Sequence, residues 1–221
     1  MKKILIVSLM SLFLSGVANA GSIGIGVTGS LAGISAEGTE ADKAGTADAS
    51  MRTATAGEIA VVPSVFLEYS FDNGFTLGYD ATLGKANVSN KKLTRTDDSS
   101  EAAQDGDRSA QAELDKVHQI YAELPLHAGL YAKAGFVQMD VNTLDKSTST
   151  LSGSYGNTTV DGYLWGLGYK NTLGTNAFYK VEGTSTNMDS MSFLSTTTDK
   201  GNKITADLDV LKATFAIGFS F

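Results

Sequence analysis

The last eleven residues, Leu211-Lys212-Ala213-Thr214-Phe215-Ala216-Ile217-Gly218-Phe219-Ser220-Phe221, alternate without a break. Leu211, Ala213, Phe215, Ile217, Phe219 and Phe221 fall on one parity, and Lys212, Thr214, Ala216, Gly218 and Ser220 on the other. A period of two marks a strand whose successive side chains point to opposite faces. Such a strand cannot stand alone. Its backbone groups need hydrogen-bond partners, and its greasy face needs an apolar medium.

Seven earlier runs repeat the pattern. Ile23, Ile25, Val27 and Leu31 form the apolar parity of the first, and Ile59, Val61, Val65, Leu67, Tyr69 and Phe71 that of the second. The third carries Phe75, Leu77, Tyr79, Ala81 and Leu83, and the fourth ends in Ile120, Ala122 and Leu124. Leu130 to Phe136, Tyr163 to Tyr169, and Tyr179 with Val181 supply the fifth, sixth and seventh. Eight strands are expected. The fourth is ambiguous, because Leu114, Val117, Tyr121 and Leu124 also fit a helical spacing. Pro63 interrupts the second run and predicts a bulge or the upper limit of regular pairing there.

The connections come in two sizes. Asp72–Gly74, Pro125–Gly129 and Asn171–Asn176 read as short turns, the first with the Asn-Gly signal of a tight hairpin. The stretches near Ala36–Gly57, Ala86–Ala112, Asn142–Gly156 and Ser185–Asn202 read as long polar loops. Short and long alternate strictly, as in an antiparallel up-and-down transmembrane barrel with turns at one rim and loops at the other. In lipid only closure pairs every strand edge. The expected fold is therefore all-β, a closed eight-stranded transmembrane barrel.

Composition removes competing classes. The chain has no cysteine, which excludes a disulfide scaffold and thiol-bearing metal sites, and its net charge of −7 argues against nucleic acid as a partner. Lys2 and Lys3, the apolar run Ile4–Leu14 and Ala18-Asn19-Ala20 have the form of a signal peptide cleaved after Ala20. Residues 1–20 are then a leader and 21–221 the barrel. Removing 20 of 221 residues leaves 201, and the loss of two lysines takes the charge from −7 to −9.

The polar parity carries four acids, Glu68, Asp80, Glu123 and Glu182, and four bases, Lys133, Lys170, Lys180 and Lys212. Eight strands leave room for little more than side chains inside. These eight charges are expected to form an ion-pair network that fills and shuts the bore; the competing reading is a small-solute channel. Gly24-Ile25-Gly26-Val27-Thr28-Gly29 matches a nucleotide-loop pattern but is followed by no helical run, so its glycines read as small strand positions. Asp97, Asp98, Glu101, Asp105 and Asp107 lack the ordered spacing of a calcium loop and read as solvated charge. No metal or cofactor is expected.

Residues 21–221 resemble the small eight-stranded outer-membrane barrels of Gram-negative bacteria, the group that includes the OmpA transmembrane domain, OmpX and the opacity-type adhesins. The strand Leu211–Phe221 carries the closest motif. Its Phe215, Ile217, Phe219 and terminal Phe221 are similar to the signal such proteins present to the barrel-assembly machinery. The resemblance implies an outer-membrane location with both termini in the periplasm, and lipid and lipopolysaccharide as surroundings. It also implies a monomer with a structural, membrane-stabilising role whose loops carry adhesion or capture of an external ligand. Some barrels modify lipid A, which is the enzymatic alternative. The deacylase barrels place a serine two residues after their histidine, whereas Ile120 follows His118 here. His127 falls in a short turn. The chain is not expected to be an enzyme.

Overall fold

The computed structural model describes residues 21–42, 50–88, 93–97, 106–144, 146–147, 155–194 and 203–221. Eight strands form a ring: β1 (Gly21–Asp42), β2 (Ser50–Phe71), β3 (Thr76–Thr82), β4 (Ala112–Pro125), β5 (Leu130–Thr143), β6 (Thr158–Leu173), β7 (Ala177–Met188) and β8 (Lys203–Ser220). Each pairs antiparallel with its neighbours in the chain, and β8 returns to β1 along a register from Gly24↔Ser220 to Ala41↔Lys203. The sheet has no open side. Residues 1–20, expected from sequence to be a leader and including Ala18 and Ala20, lie outside the described residues.

The turns follow their sequences. Phe71 N–H donates to the Phe75 carbonyl at 2.8 Å across the first, with Gly74 at φ 82°. That left-handed conformation is one glycine adopts without penalty. The third is tighter than expected: β6 runs on to Leu173 and leaves Gly174–Asn176 as the turn.

The long connections are shorter than the side-chain pattern suggests. Residues 36–42 and 50–57 are strand, and β1 and β2 stay in register up to Asp42↔Ser50. Met191–Leu194 pairs with β8, and Ala86–Asn87 pairs with β4 beyond a bend at Gly84, φ 94°. Leu93–Asp97, Gly106–Ala110 and Lys146–Ser147 make a separate three-stranded sheet. Asp97 and Asp107 sit in that ladder, while Asp98, Glu101 and Asp105 lie outside the described residues. A backbone ladder needs only paired N–H and C=O groups. Small polar residues extend it without leaving any apolar signature.

Both ambiguous segments resolve in physical terms. β4 is a strand with a bulge between Asp115 and His118, where Lys116 takes φ 48°. The inserted residue resets the parity, so that Leu114 and Tyr121 both point inward although seven residues separate them. That shift is what imitates a helical spacing. Pro63 lies just beyond the last β2–β3 pair, Ser64↔Thr82, and its carbonyl accepts the Leu83 N–H at 2.7 Å. It marks the end of regular pairing with β3, where the missing N–H costs nothing.

The outer face is apolar over a band of limited height. Ile25, Val27, Leu31, Ile59, Val61, Trp165, Leu167, Leu211 and Phe215 are all exposed on it. From Phe71 to Ile59 the band covers thirteen residues of β2, or twelve residue-to-residue rises. At ~3.3 Å per residue and a tilt of ~40° this is about 30 Å, the thickness of a bilayer's hydrocarbon. Aromatic pairs flank it, with Phe71 and Phe75 near the turns and Phe136 and Tyr163 near the other end. Above Phe136 and Tyr163 the parity inverts. Val137, Met139 and Val141 of β5 and Leu208 and Val210 of β8 are buried inside, while Gln138, Asp140, Asp207 and Asp209 face outward. Outward polar pairs close the rim there, Gln138 to Asp161 at 2.7 Å and Asn187 to Asp209 at 2.8 Å. The barrel leaves its apolar band and continues as one built for water on the outside.

Candidate functional site

The interior has two halves of different chemistry, both set by which residues the ring turns inward. In the half nearer the short turns, Lys180 of β7 is fully buried between two carboxylates. Its Nζ donates to Glu68 Oε2 and, at 2.6 Å, to Glu123 Oε1. Lys170 Nζ donates to the other Glu68 oxygen, Oε1, at 2.6 Å. Across the bore, Lys133 Nζ donates to Glu182 Oε2 at 2.7 Å, and the Tyr131 hydroxyl donates to Glu182 Oε1 at 2.6 Å. Ser64 Oγ donates to Asp80 Oδ2 at 2.7 Å. Six of the eight charges named from sequence are thus brought into direct contact. Asp80 and Lys212 are inside as well, but no ion pair joins them.

Aromatic rings fill the spaces between the charges. Lys133 Nζ lies 3.9 Å from the centre of the Tyr121 ring and Lys170 Nζ 4.3 Å from that of Phe178. These distances suit cation–π attraction in a desolvated bore. The rings fit because glycines face them. A Cβ at Gly168 would stand 2.2 Å from the Tyr131 ring, and one at Gly78 would stand 2.2 Å from the Tyr121 ring. Gly168→Val is therefore expected to displace Tyr131 from Glu182 and cost about 1–3 kcal/mol of stability. Urea unfolding against Gly29→Ala, where nothing lies within 4 Å of the added atom, checks it. Equal midpoints for the two variants would contradict the fit.

The other half of the interior is dry. Ile34, Leu114, Val137, Met139, Val141, Val160, Leu164, Met188, Met191, Phe193, Leu208 and Val210 pack into one buried cluster. Tyr155 packs against it, and its hydroxyl donates to Glu40 Oε1 on β1 at 3.1 Å. The polarity of the inner strand face suggested no such layer. The inversion of parity above Phe136 and Tyr163 is the sequence signal that reveals it. A vestibule of about 330 Å³ opens at the short turns, lined by Thr76, Glu123, His127, Tyr131 and Lys170 among others. A small cavity lies further in, beside Asp80, Thr184 and Lys212.

The remaining residues named from sequence stand apart from the bore. Phe215, Ile217, Phe219 and Phe221 are exposed on the outer face of β8 and at its end. His118 is also outward, stacked on Tyr79 with its Nδ1 2.7 Å from the Tyr79 hydroxyl. Among the described residues that is the only hydrogen-bond partner of the His118 side chain. At the rim Lys85 donates to Glu113 Oε1 at 2.7 Å, and that hydrogen bond holds its ammonium above the ordinary lysine range.

No protein-family model matches the chain, and no curated protein does. Several solved structures are similar in shape. The attachment invasion locus protein Ail of Yersinia pestis, in complex with the heparin analogue sucrose octasulfate, aligns over 92% of this chain and 100% of its own at 11% identity and a TM-score of 0.39. The outer membrane protein OprG of Pseudomonas aeruginosa aligns over 91% and 96% at 12% identity and a TM-score of 0.48. Neisserial surface protein A aligns over 87% and 97% at 10% identity and a TM-score of 0.35. The fold assignment rests on ring closure itself.

Proposed function

We propose that this chain is an integral outer-membrane barrel of a Gram-negative cell, closed to solutes, that stabilises the membrane and carries an interaction surface on its external side. The observation that carries the reading is the pairing of a lipid-height apolar band outside with an interior filled at two levels, one ionic and one apolar. A band of exposed side chains from Ile25 to Phe219 has no place in water. The leader at residues 1–20 would direct export, and the outward phenylalanines of β8, Phe215, Phe219 and Phe221, would be read by the assembly machinery with Ile217. Both termini then lie on the periplasmic side, lipid and lipopolysaccharide surround the wall, and the barrel works as a monomer without a cofactor. A bore this crowded supports a structural role over a solute channel. Ile120, not a serine, stands two residues after His118, which supports a non-enzymatic role over lipid A deacylation.

Surface binding would belong to the connections beyond the apolar band, because such segments vary without touching the scaffold. Replacing residues 93–110 with a short Gly-Ser linker is expected to abolish adhesion of expressing cells to a host-cell layer. The barrel should keep its folded gel migration in unboiled samples. Unchanged adhesion with the barrel intact would contradict the adhesive part of this reading.

A further inference from the structure

Asp80 on β3 and Lys212 on β8 are the acid and base left over when the other interior charges have paired. Asp80 is more than nine-tenths buried, and while Oδ2 accepts from Ser64, Oδ1 has no hydrogen-bond partner. Thr184 Oγ1, equally buried, has none either. Thr184 and Lys212 are register partners on the inner face, and among the described residues no carboxylate forms an ion pair with Lys212. All three side chains line the same small cavity, which leaves about 20 Å³ for the centre of a water molecule. A buried water needs roughly 10–15 Å³ of such space and two to four polar partners.

We propose that this cavity is a specific binding site for a water molecule, which joins Asp80, Thr184 and Lys212 across the bore as a water-bridged ion pair. The chemistry selects the ligand. The orphan Oδ1 requires a donor and the Lys212 ammonium requires an acceptor, and water is both at once. A monatomic anion would face the Asp80 carboxylate oxygen. A metal cation would face three ammonium groups, Lys133, Lys180 and Lys212, against Asp80 and a Glu182 carboxylate already taken by Lys133 and Tyr131. The site borders the apolar cluster, since Lys212 stands two residues from the buried Val210 on the inner face of β8. The inference depends only on the interior geometry and stands whatever the external surface binds.

A crystal structure of the folded barrel at about 1.5 Å, grown with bromide replacing chloride, tests it. The expected result is a single peak of water density within about 2.6–3.2 Å of Asp80 Oδ1 and Lys212 Nζ, with no anomalous signal. An anomalous bromide peak, a direct Asp80–Lys212 contact, or an empty cavity would each overturn the proposal. Solution NMR in micelles gives a second measurement. Long-lived water cross-peaks are expected at Gln119 and Thr184 in the native barrel. They should vanish in the Asp80→Leu/Lys212→Met double variant, which removes donor and acceptor together and leaves no lone charge. Absence of the native cross-peaks, or their persistence in the double variant, would contradict it.

Discussion

Lys180→Ala is expected to destabilise the barrel by about 3–5 kcal/mol, the usual cost of removing one partner from a buried ion pair. Lys180 is the common cation of Glu68 and Glu123, and all three side chains are at most 3% exposed. Without it, among the described residues, Glu123 is left with no ion-pair partner and Glu68 with Lys170 alone. Burial would then act on Glu123 uncompensated, because a carboxylate taken from water gains its stability from a partner or not at all. The measurement is urea unfolding of the refolded barrel in lipid, followed by the loss of folded gel migration. A compensated variant separates charge from packing. Lys180→Met with Glu123→Gln leaves Glu68 paired to Lys170 and no lone charge, and should recover at least half of the loss. Lys180→Ala unfolding at the native urea concentration would show that the ion pairs do not hold this interior together.

Leu167→Arg has the second large effect expected, about 2–4 kcal/mol, the cost of a cation on the lipid face near the bilayer midplane. Leu167 stands in the middle of the outer face of β6, between Trp165 and Tyr169. Its cross-strand neighbours are Ala132 and Gly183, too small to shield a guanidinium. Thr205→Arg provides the control. Thr205 is exposed on β8 opposite Thr39, above the apolar band, where the substitution should cost about 0–1 kcal/mol. The same unfolding assay reads both. Equal losses at the two positions would mean that the band does not lie in hydrocarbon.

What the sequence makes legible follows the solvent on each face. Within the apolar band lipid dictates every second side chain, so Leu211 to Phe221 and Ile59 to Phe71 can be read directly as strands with a known outside. The inner charges are legible for the same reason, since Glu68, Lys133 and Lys180 sit at positions where lipid is absent. Above the band the rule changes sign. Water takes the outer face, Asp207 and Asp209 turn out, and Leu208 and Val210 turn in. A pattern sought with one fixed parity loses the strands there and reads residues 36–42 and 50–57 as loop. The bulge at Lys116 hides β4 by a similar slip of one residue. The mismatch of Asp80 and Lys212 was not legible at all. Counting charges on the inner face balances them, but only side-chain reach decides which of them meet.

A membrane-spanning barrel with a closed interior passes no ions, so ion flux through it measures the closure. Proteoliposomes should be prepared with the refolded chain, its folded state verified by gel migration without boiling and by protease protection. Potassium release from them is then compared with protein-free vesicles. A closed interior predicts release no faster than from the protein-free vesicles. Sustained release that scales with the amount of folded barrel would contradict it.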